Sequence, residues 1–295
     1  MEQTIFDSLI IGPVSKDIMI DCEDNRTELD GGAVLQSGYA AANTGYNTAV
    51  FTKLNPADMD VEKAFSGCPA KVFWKESKAT TSILNKYFTP DKEKRACNKL
   101  AACDPFSADE LPQIEAKIYH FAGLMVGDFD EAMFETLAGR AKIAVDVQCL
   151  LRKAMHDGSM EFFDWDNKHK YLPFIDLLKT DAAEAQILTG LEDRQEAAKC
   201  LRDWGAKEVM ITHNTEVLVY DGIEMYTCPI KARSLVGRTG RGDTTFAGYI
   251  NTRLYEDIPD ALRFATALVS LKMETPGPFK GEREDVMTYM KEFYS

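Results

Sequence analysis

The features that this chain lacks exclude several classes of protein. None of the apolar runs in its 295 residues approaches the roughly 18 residues of a membrane-spanning helix. Its seven cysteines are scattered and include no C-x-x-C pair, which indicates reduced thiols in a reducing compartment. Glu2 and Asp7 flank a short apolar N-terminal run without a basic start, which predicts a strand and not a signal peptide. We therefore expect a soluble, cytoplasmic protein.

Positive charge is scarce as well. The net charge is −13, so neither nucleic acid nor an anionic membrane is expected as a partner. A hydrophobic content of 45% with 27% charged residues is typical of a globular enzyme. The exception is a local basic segment just before Asp243, which is expected to attract an anionic ligand. This segment contains Lys231, Arg233, Arg238 and Arg241.

Both common nucleotide-binding fingerprints are missing. The chain contains no G-x-x-x-x-G-K-[ST] motif, and the glycines at 237, 240 and 242 are spaced G-x-x-G-x-G. A dinucleotide-dependent oxidoreductase needs G-x-G-x-x-G after its first strand, where this chain has Gly12-Pro13-Val14-Ser15. The sequence therefore argues against that alternative.

Strand-like and helix-like segments alternate along the chain. Short apolar runs predict strands at 5–11, 49–54, 71–74, 118–121, 143–147, 174–179, 208–212 and 217–220. Amphipathic patterns predict helices at 130–138, 182–188, 195–204, 260–273, after 243 and from 283. This order indicates an α/β fold with a doubly wound, mostly parallel sheet flanked by helices. Without repeats or linkers, residues 1–295 are predicted to be a single domain.

Residues 79–99 interrupt this alternation with a β-prone sequence around the turn signal Thr89-Pro90-Asp91-Lys92. Together with residues 17–30 they predict a small separate β-sheet that covers a cleft as a lid. An uncovered edge of such a sheet can pair with a second subunit. Both a monomer and a homodimer therefore remain open.

The stretch Thr239-Gly240-Arg241-Gly242-Asp243-Thr244 precedes an amphipathic helix. The N–H groups of residues 240 to 243 would be unpaired donors at a positive helix end, which is an anion site. A carboxylate beside an anion site would repel the ligand. Its presence makes sense if it faces a hydroxyl that attacks the phosphate. We predict an anion-binding turn with Asp243 as a general base. A structural turn with a capping aspartate is the alternative.

Other polar residues fall where ligands of doubly wound sheets bind, beyond the carboxyl ends of strands. Asp17 comes after the first strand, and the pair Gly31-Gly32 enters a run of small residues. Such a glycine pair predicts a helix start close to a ligand or another backbone. Three more polar residues follow strand-like runs, and each is equally well an ordinary loop residue: Asp128, Gln148 and Asp181.

These motifs resemble, from end to end, the ribokinase-like (PfkB) carbohydrate kinase family. Its hallmark G-x-G-D is matched by Gly240-Arg241-Gly242-Asp243, its early glycine pair by Gly31-Gly32 and its substrate-holding aspartate by Asp17. The family's N-x-x-E appears as Asp181-Ala-Ala-Glu184, with Asp in place of Asn. Its T-x-G appears as Thr212-His213-Asn214, so that glycine is lost.

The resemblance implies an ATP-dependent kinase in which Asp243 is the base and Gly240, Arg241 and Gly242 surround the transferred phosphoryl group. It implies Mg²⁺ linked to Glu184. Implied nucleotide contacts are Asp181, Thr212, Asn214, Gly240 and Gly277. Predicted contacts of a polyol or sugar substrate are Asp17, Gly31, Gly32, Gln148 and Arg152.

Several short segments resemble the bacterial myo-inositol kinase group, with Arg241 the most distinctive residue. They are Val14-Ser15-Lys16-Asp17, Thr80-Thr81-Ser82-Ile83, Asp104-Pro105-Phe106, 237–244 and Pro276-Gly277-Pro278. This implies a small polyol, first of all myo-inositol, as the acceptor. A ribose, fructose or nucleoside kinase of the same family is the alternative. A non-catalytic polyol-binding relative would have no reason to keep Asp243.

Overall fold

The structure is a computed structural model that describes residues 5–89 and 95–294. Its strands are β1 (Ile5–Ile11), β2 (Ser15–Ile20), β3 (Arg26–Gly31), β4 (Thr48–Leu54), β5 (Lys71–Glu76), β6 (Thr81–Tyr87), β7 (Arg95–Ala101), β8 (Glu115–Phe121), β9 (Lys142–Asp146), β10 (Arg152–Ala154), β11 (Met160–Phe162), β12 (Leu177–Asp181), β13 (Glu208–Thr212), β14 (Glu216–Tyr220) and β15 (Met225–Pro229).

The helices alternate with these strands through most of the chain. They are α1 (Ala33–Asn43), α2 (Val61–Ala64), α3 (Ala132–Leu137), α4 (Gln148–Leu151), α5 (Lys168–Tyr171), α6 (Ala182–Thr189), α7 (Arg194–Asp203), α8 (Arg241–Thr252), α9 (Ile258–Lys272) and α10 (Arg283–Phe293). Short 3₁₀ turns add Ala108–Glu110 and Leu172–Phe174. In the described ranges, no helix is both long and apolar enough to cross a bilayer.

The large sheet has the strand order β15-β14-β13-β12-β9-β8-β1-β4-β5. Strands β5 to β13 in this order run parallel to their neighbours, while β14 and β15 are antiparallel additions at one edge. The predicted doubly wound, mostly parallel sheet is therefore confirmed. Because β1 lies inside the sheet between β8 and β4, both of its faces are covered, which explains why nearly all of its residues are buried.

Alternating side chains of β1 supply the cores on the two faces of the sheet. Leu9 and Ile11 belong to one apolar cluster, whereas Ile10 belongs to another. Helices α6 and α7 cover the first face. On the opposite face, α8 packs between α1 and α9. This packing holds the first turn of α8 beside the carboxyl ends of the central strands.

A separate four-stranded sheet has the order β3-β2-β6-β7, so the predicted small sheet is confirmed. Strands β2 and β6 are parallel, and the two outer pairs are antiparallel. Of the turn predicted at 89–92, residues 90–92 lie outside the described residues. The sheet spans slightly more of the chain than the predicted ranges 17–30 and 79–99.

Sequence patterns missed the hairpin formed by β10 and β11. Its strands have only three residues each, which is too short for a periodic signal. This hairpin contacts the small sheet, because the N–H of Lys99 in β7 donates to the carbonyl oxygen of Gly158 at 2.8 Å. Strand β15 was also missed, since it ends in Pro229 and is only partly buried.

Candidate active site

The first turn of α8 carries the predicted anion-binding residues. Gly240 precedes the helix with φ of 77°, and no side chain caps α8. Asp243 is the third helical residue, so the alternative of a capping aspartate finds no support. The N–H of Arg241 donates to the carbonyl oxygen of Arg238 at 3.2 Å. Of the four predicted N–H donors, that of Arg241 is therefore already used, and those of Gly240, Gly242 and Asp243 remain candidates.

Gln36 explains why residue 240 must be glycine. A Cβ atom at this position would lie 2.4 Å from Cδ of Gln36, and the positive φ also disfavours other residues. Gln36 lies on α1, is buried, and its Oε1 atom has no hydrogen-bond partner. Ser37 beside it donates to the carbonyl oxygen of Asp243 at 3.4 Å. Helix α1 therefore brings a buried amide against the anion-binding turn.

A buried lysine lies on the other side of this turn. Nζ of Lys179, in β12, is 2.9 and 3.1 Å from the two carboxylate oxygens of Asp146 in β9. The same ammonium is 4.0 Å from Oε2 of Glu184. A Cβ atom at Gly242 would lie 3.2 Å from it. Lys179 therefore adds a fixed positive charge beside the predicted anion site.

The pKa of Lys179 shows how strongly this charge is held. Burial lowers it, but the surrounding carboxylates of Asp146, Glu184, Asp181 and Asp243 raise it well above its usual value. Lys179 is consequently protonated at neutral pH. Its partner Asp146 is 3% exposed, so the pair is almost removed from water.

Asp243 has the electrostatic properties of a general base. Burial and the neighbouring Asp146 raise its pKa to about 6, against the opposing charges of Lys179, Lys272 and Arg152. A base is most effective when its pKa lies near the pH at which the reaction runs. Asp243 can therefore lose its proton at neutral pH and still accept one from a substrate hydroxyl.

Asp181 and Glu184 form a reciprocal capping box at the start of α6. The N–H of Asp181 donates to Oε2 of Glu184, and the N–H of Glu184 donates to Oδ1 of Asp181, both at 2.8 Å. Burial raises the pKa of Glu184 to about 7, with the carboxylates of Asp146 and Asp181 adding to it against Lys179. One carboxylate oxygen of Asp181 and one of Glu184 thus accept hydrogen bonds within the helix start. The predicted contacts, of Glu184 to metal and of Asp181 to nucleotide, would use the second oxygen of each carboxylate.

The predicted substrate contacts Asp17, Gly31 and Gly32 lie close together. Asp17 lies in β2 of the small sheet and accepts a hydrogen bond from Oγ of Ser15 at 2.7 Å. A Cβ atom at Gly31 would lie 2.2 Å from Oδ2 of Asp17, and one at Gly32 would lie 2.5 Å from the carbonyl oxygen of Pro13. The predicted close approach at the start of α1 is confirmed, with Asp17 and the chain near Pro13 as the neighbours.

Gln148 and Arg152 flank the short helix α4 after β9. The N–H of Gln148 donates to Oδ1 of Asp146 at 3.1 Å. Arg152 is buried, and its Nε donates to the carbonyl oxygen of Leu124 at 2.7 Å. Its charge also lowers the pKa of Asp243. The structure thus brings both residues to the carboxyl end of β9, near the base.

Asp128, another candidate from the sequence, stabilises a turn. Its Oδ2 accepts the N–H groups of Leu124 at 2.6 Å and Met125 at 2.9 Å. Burial raises its pKa to about 6, against these two N–H groups and Arg152. This turn also presents the carbonyl oxygen of Leu124 to Arg152.

The predicted nucleotide contacts are spread along one edge of the site. Thr212 ends β13 directly opposite Asp181 in the sheet, and its hydroxyl donates to the carbonyl oxygen of Thr180 at 3.4 Å. Asn214 is exposed in the turn before β14. Gly277 lies after α9 with φ of 86°, and no atom is within 4 Å of an added Cβ. The structure therefore brings Thr212 and Asp181 together.

The basic segment 231–241 does not act as one patch, and the sequence prediction was wrong for its first half. Nε and NH2 of Arg233 donate to the two carboxylate oxygens of Glu274 at 2.6 and 2.7 Å. Lys231 donates to the carbonyl oxygen of Phe293. The charge of Arg233 is thus paired, and both side chains tie the segment to the C-terminal part of the chain. Arg238 and Arg241 lie next to the anion-binding turn.

Four residues of the site were missed by sequence reasoning: Lys179, Asp146, Gln36 and Lys272. Lys179 and Asp146 could have been recognised, because each is a charged residue within or at the end of an apolar strand. Such a residue is expected to have a buried partner. Gln36 and Lys272 lie in helices whose patterns give no indication of proximity to Asp243.

No group of three or more His, Cys, Asp or Glu side chains converges as a metal centre within residues 5–89 and 95–294. A magnesium ion keeps several waters and often uses one or two protein carboxylates. The negative charges of Asp146 and Asp181 contribute to the raised pKa of Glu184. A bound cation would offset these charges. Glu184 therefore fits magnesium held through water and phosphate oxygens.

Known proteins resemble this chain over nearly its whole length. A pyrophosphate-dependent kinase of the ribokinase family, solved with a pyrophosphate analogue and myo-inositol, is 33% identical. That match covers 95% of this chain and 99% of the other, with a TM-score of 0.86. The ribokinase of Arabidopsis thaliana, solved with ribose and ATP, is 17% identical, covers 98% and 99% of the two chains, and has a TM-score of 0.78. The latter likeness shows the fold alone.

A cytidine kinase from Thermococcus kodakarensis is 26% identical over 263 residues, or 83% of this chain and 88% of that protein. The family model for pfkB family carbohydrate kinases matches residues 77–283, more than half of the 295 residues. The resemblance seen in the sequence is thereby confirmed. The chain belongs to the pfkB family of carbohydrate kinases, with the ribokinase-like fold, and is a phosphotransferase that acts on hydroxyl groups of sugars or cyclitols.

Proposed function

We propose that residues 1–295 form one kinase domain that phosphorylates a hydroxyl group of myo-inositol, with pyrophosphate as the phosphoryl donor. The observation that carries the phosphoryl-transfer chemistry is the position of Asp243. This carboxyl has a pKa of about 6 and lies in the first turn of α8, next to the N–H groups that would bind the transferred group.

Each group at the site has a role in this reaction. Asp243 accepts the proton of the attacking hydroxyl as the bond to phosphorus forms. The N–H groups of Gly242 and Asp243, together with the ammonium of Lys179, stabilise negative charge on the phosphoryl oxygens. Glu184 would hold magnesium through water, and this ion would neutralise further phosphate charge. The other product is phosphate from pyrophosphate, or ADP from ATP.

The acceptor is inferred from Asp17 and from the relatives. An ionised carboxylate in contact with the glycine backbone can accept hydrogen bonds from two neighbouring hydroxyls of a ring. The relatives that are 32–34% identical are pyrophosphate-dependent kinases, and one of them was solved with myo-inositol. Gln148 and Arg152 are proposed as further acceptor contacts.

The donor differs from the ATP that the sequence resemblance implied. Three solved structures of pyrophosphate-dependent kinases are 32–34% identical to this chain, whereas the ribokinase solved with ATP is 17% identical. One departure from the family pattern, Asn214, also falls at an implied nucleotide contact. Pyrophosphate needs only contacts to phosphate oxygens, which the cationic groups around Gly242 offer.

A donor and acceptor panel tests this proposal. Pyrophosphate or ATP is combined with myo-inositol, ribose, fructose or cytidine in the presence of magnesium, and the phosphorylated product is followed by ³¹P NMR. We expect the highest kcat/KM for pyrophosphate with myo-inositol. The similarity to a cytidine kinase favours a nucleoside kinase as the second candidate. A preference for ATP with cytidine would refute the proposal.

The rate is expected to depend on pH through Asp243. Because the base must be ionised, kcat/KM should rise with pH and level off above the pKa of about 6. The pH profile of kcat/KM between pH 4.5 and 8 measures this at low myo-inositol concentration. The thermal unfolding of the protein at each pH is the control for loss of fold. A profile that is flat between pH 5 and 7 would contradict the assignment.

Asp17→Asn should weaken acceptor binding. The change removes the charge that accepts substrate hydroxyls, and hydrogen bonds to charged groups contribute about 1.5–3 kcal/mol. We expect KM for myo-inositol to rise about 10-fold to 150-fold, with a smaller change in KM for the donor. Steady-state kinetics with each substrate varied in turn measure both values. Asp24→Asn, on an exposed turn of the small sheet, is the matched control, and equal effects of the two changes would rule out this role for Asp17.

A further inference from the structure

A second buried lysine lies behind the anion-binding turn. Lys272 is the last residue of α9 and is 1% exposed. Its Nζ donates to the carbonyl oxygen of Gly237 at 2.7 Å and to that of Thr239. Both of these acceptors are neutral backbone oxygens of the segment that leads into Gly240. The ammonium therefore joins two carbonyl groups that would otherwise face each other without a donor.

The same segment is packed against the turn that follows α9. The N–H of Gly237 donates to the carbonyl oxygen of Met273 at 2.8 Å. A Cβ atom at Gly237 would lie 1.9 Å from the carbonyl oxygen of Thr275. Gly237 is thus fixed against the turn after α9, and the ammonium of Lys272 binds the carbonyl oxygens on both sides of Arg238.

The charge of Lys272 also reaches the base. Burial lowers the pKa of Lys272 to about 8, and Asp243 acts in the opposite direction. Conversely, Lys272 is one of the cations that lower the pKa of Asp243. The charges of Lys272 and Asp243 therefore influence each other, although the ammonium of Lys272 donates to backbone carbonyl oxygens.

We propose that the ammonium of Lys272 is a built-in monovalent cation that holds the carbonyl oxygens of Gly237 and Thr239 and so positions the anion-binding turn of α8. It is a positioning residue, because it acts through the backbone and not on the substrate. Backbone carbonyl oxygens of this kind can replace the hydration shell of a potassium ion. The inference rests on the proposed function only in assuming that this turn binds the phosphoryl group.

The test is to remove the ammonium and supply a free cation. Lys272→Ala leaves a gap lined by the two carbonyl oxygens. In a magnesium-containing buffer whose only monovalent cation is tetramethylammonium, we expect kcat to fall about a hundredfold, as for a small displacement of a catalytic group. KM for the acceptor should change little. Added K⁺ or NH₄⁺ should restore kcat selectively over Li⁺, while the unaltered protein should not respond to any of these ions.

A second readout needs no substrate. The melting temperature of Lys272→Ala should rise when K⁺ or NH₄⁺ is added, because an ion bound only by the folded state stabilises it. Lys53→Ala is the matched control. Lys53 is also buried and binds a carbonyl oxygen, that of Pro105, but it pairs with Glu110 at 2.6 Å. This variant should melt at a lower temperature, and K⁺ should restore neither its stability nor its kcat.

Two results would overturn the inference. One is a Lys272→Ala protein whose kcat and melting temperature do not respond to K⁺ or NH₄⁺. The other is an unaltered protein that itself requires such an ion. If Lys272→Ala does not fold in tetramethylammonium, Lys272→Ser, which leaves a similar gap, is refolded with and without K⁺, and a variant that K⁺ does not help to fold also overturns the inference. A wrong donor or acceptor would leave the cation-dependent melting temperature intact, so failure of the proposed function is distinguishable.

Discussion

Asp243→Asn is expected to lower kcat by at least about a hundredfold and, at the same time, to raise the melting temperature. The loss of activity follows because an amide cannot accept the proton of the attacking hydroxyl, and general base catalysis contributes about 10²-fold to 10⁴-fold. The shape of the side chain is nearly unchanged. KM for myo-inositol should therefore stay close to its original value.

The gain in stability follows from the raised pKa. The carboxyl group of Asp243 has a pKa of about 6 in the folded protein against 3.8 for an ordinary aspartate. The folded state binds more protons than the unfolded state between these values, so stability falls as pH rises from about 4 to 6. Above pH 6 the ionised carboxylate destabilises the fold. Asparagine carries no charge and removes this cost.

Both effects are measured on the same preparation, by steady-state kinetics and by thermal unfolding at pH 7.5. Asp176→Asn is the matched control. Asp176 lies at the amino end of β12, away from the site, where it pairs with Lys207 at 2.6 Å and accepts the N–H of Ile143 at 2.8 Å. This control should keep its kcat and not gain stability. Unchanged turnover in Asp243→Asn would show that another group is the base.

Lys179→Met is expected to cost about 3–5 kcal/mol of unfolding free energy, because it leaves the buried carboxylate of Asp146 without its partner. Glu184 loses the same cation, which lies 4.0 Å away. Turnover should also fall, since the positive charge beside Gly242 disappears. Methionine keeps most of the volume of the lysine side chain, so the effect reports charge and not a cavity.

Urea unfolding followed by circular dichroism measures the free energy of this change. The double variant Lys179→Met with Asp146→Asn should regain part of the lost stability, because it removes the uncompensated charge. Lys207→Met is the matched control. Its partner Asp176 is nearer to solvent, so this exposed pair should contribute no more than about 1 kcal/mol. If Lys179→Met lowers the free energy of unfolding no more than Lys207→Met does, the buried carboxylate of Asp146 does not need Lys179 for stability.

The large sheet was predictable because its strands carry strong local signals. Covered parallel strands such as β9 and β13 have uninterrupted apolar centres, and glycines such as Gly190 end the helices between the strands. The small sheet was recognised by its β-prone residues and by its position outside the alternation. The hairpin of β10 and β11 was missed, because six strand residues are too few to show a period.

At the site, the sequence indicated the chemistry of single residues. Gly240 to Asp243 indicated an anion-binding helix start with an unexpected carboxylate, and Asp17 with Gly31-Gly32 indicated the acceptor side. Such motifs are local, because one turn of backbone creates the arrangement. The sequence alone therefore determined the fold class and the class of reaction that its family performs, and it singled out Asp243 as the candidate base.

Only the tertiary structure decided which distant charges surround that base. Lys179, Asp146 and Lys272 come from β12, β9 and α9, and no spacing along the chain relates them to Asp243. Their meeting depends on strand order and on the packing of α8 between α1 and α9. Burial then converts these contacts into pKa shifts, since charges interact strongly only where water is excluded. For the same reason Arg233, which appeared to be an anion ligand, proved to be paired with Glu274.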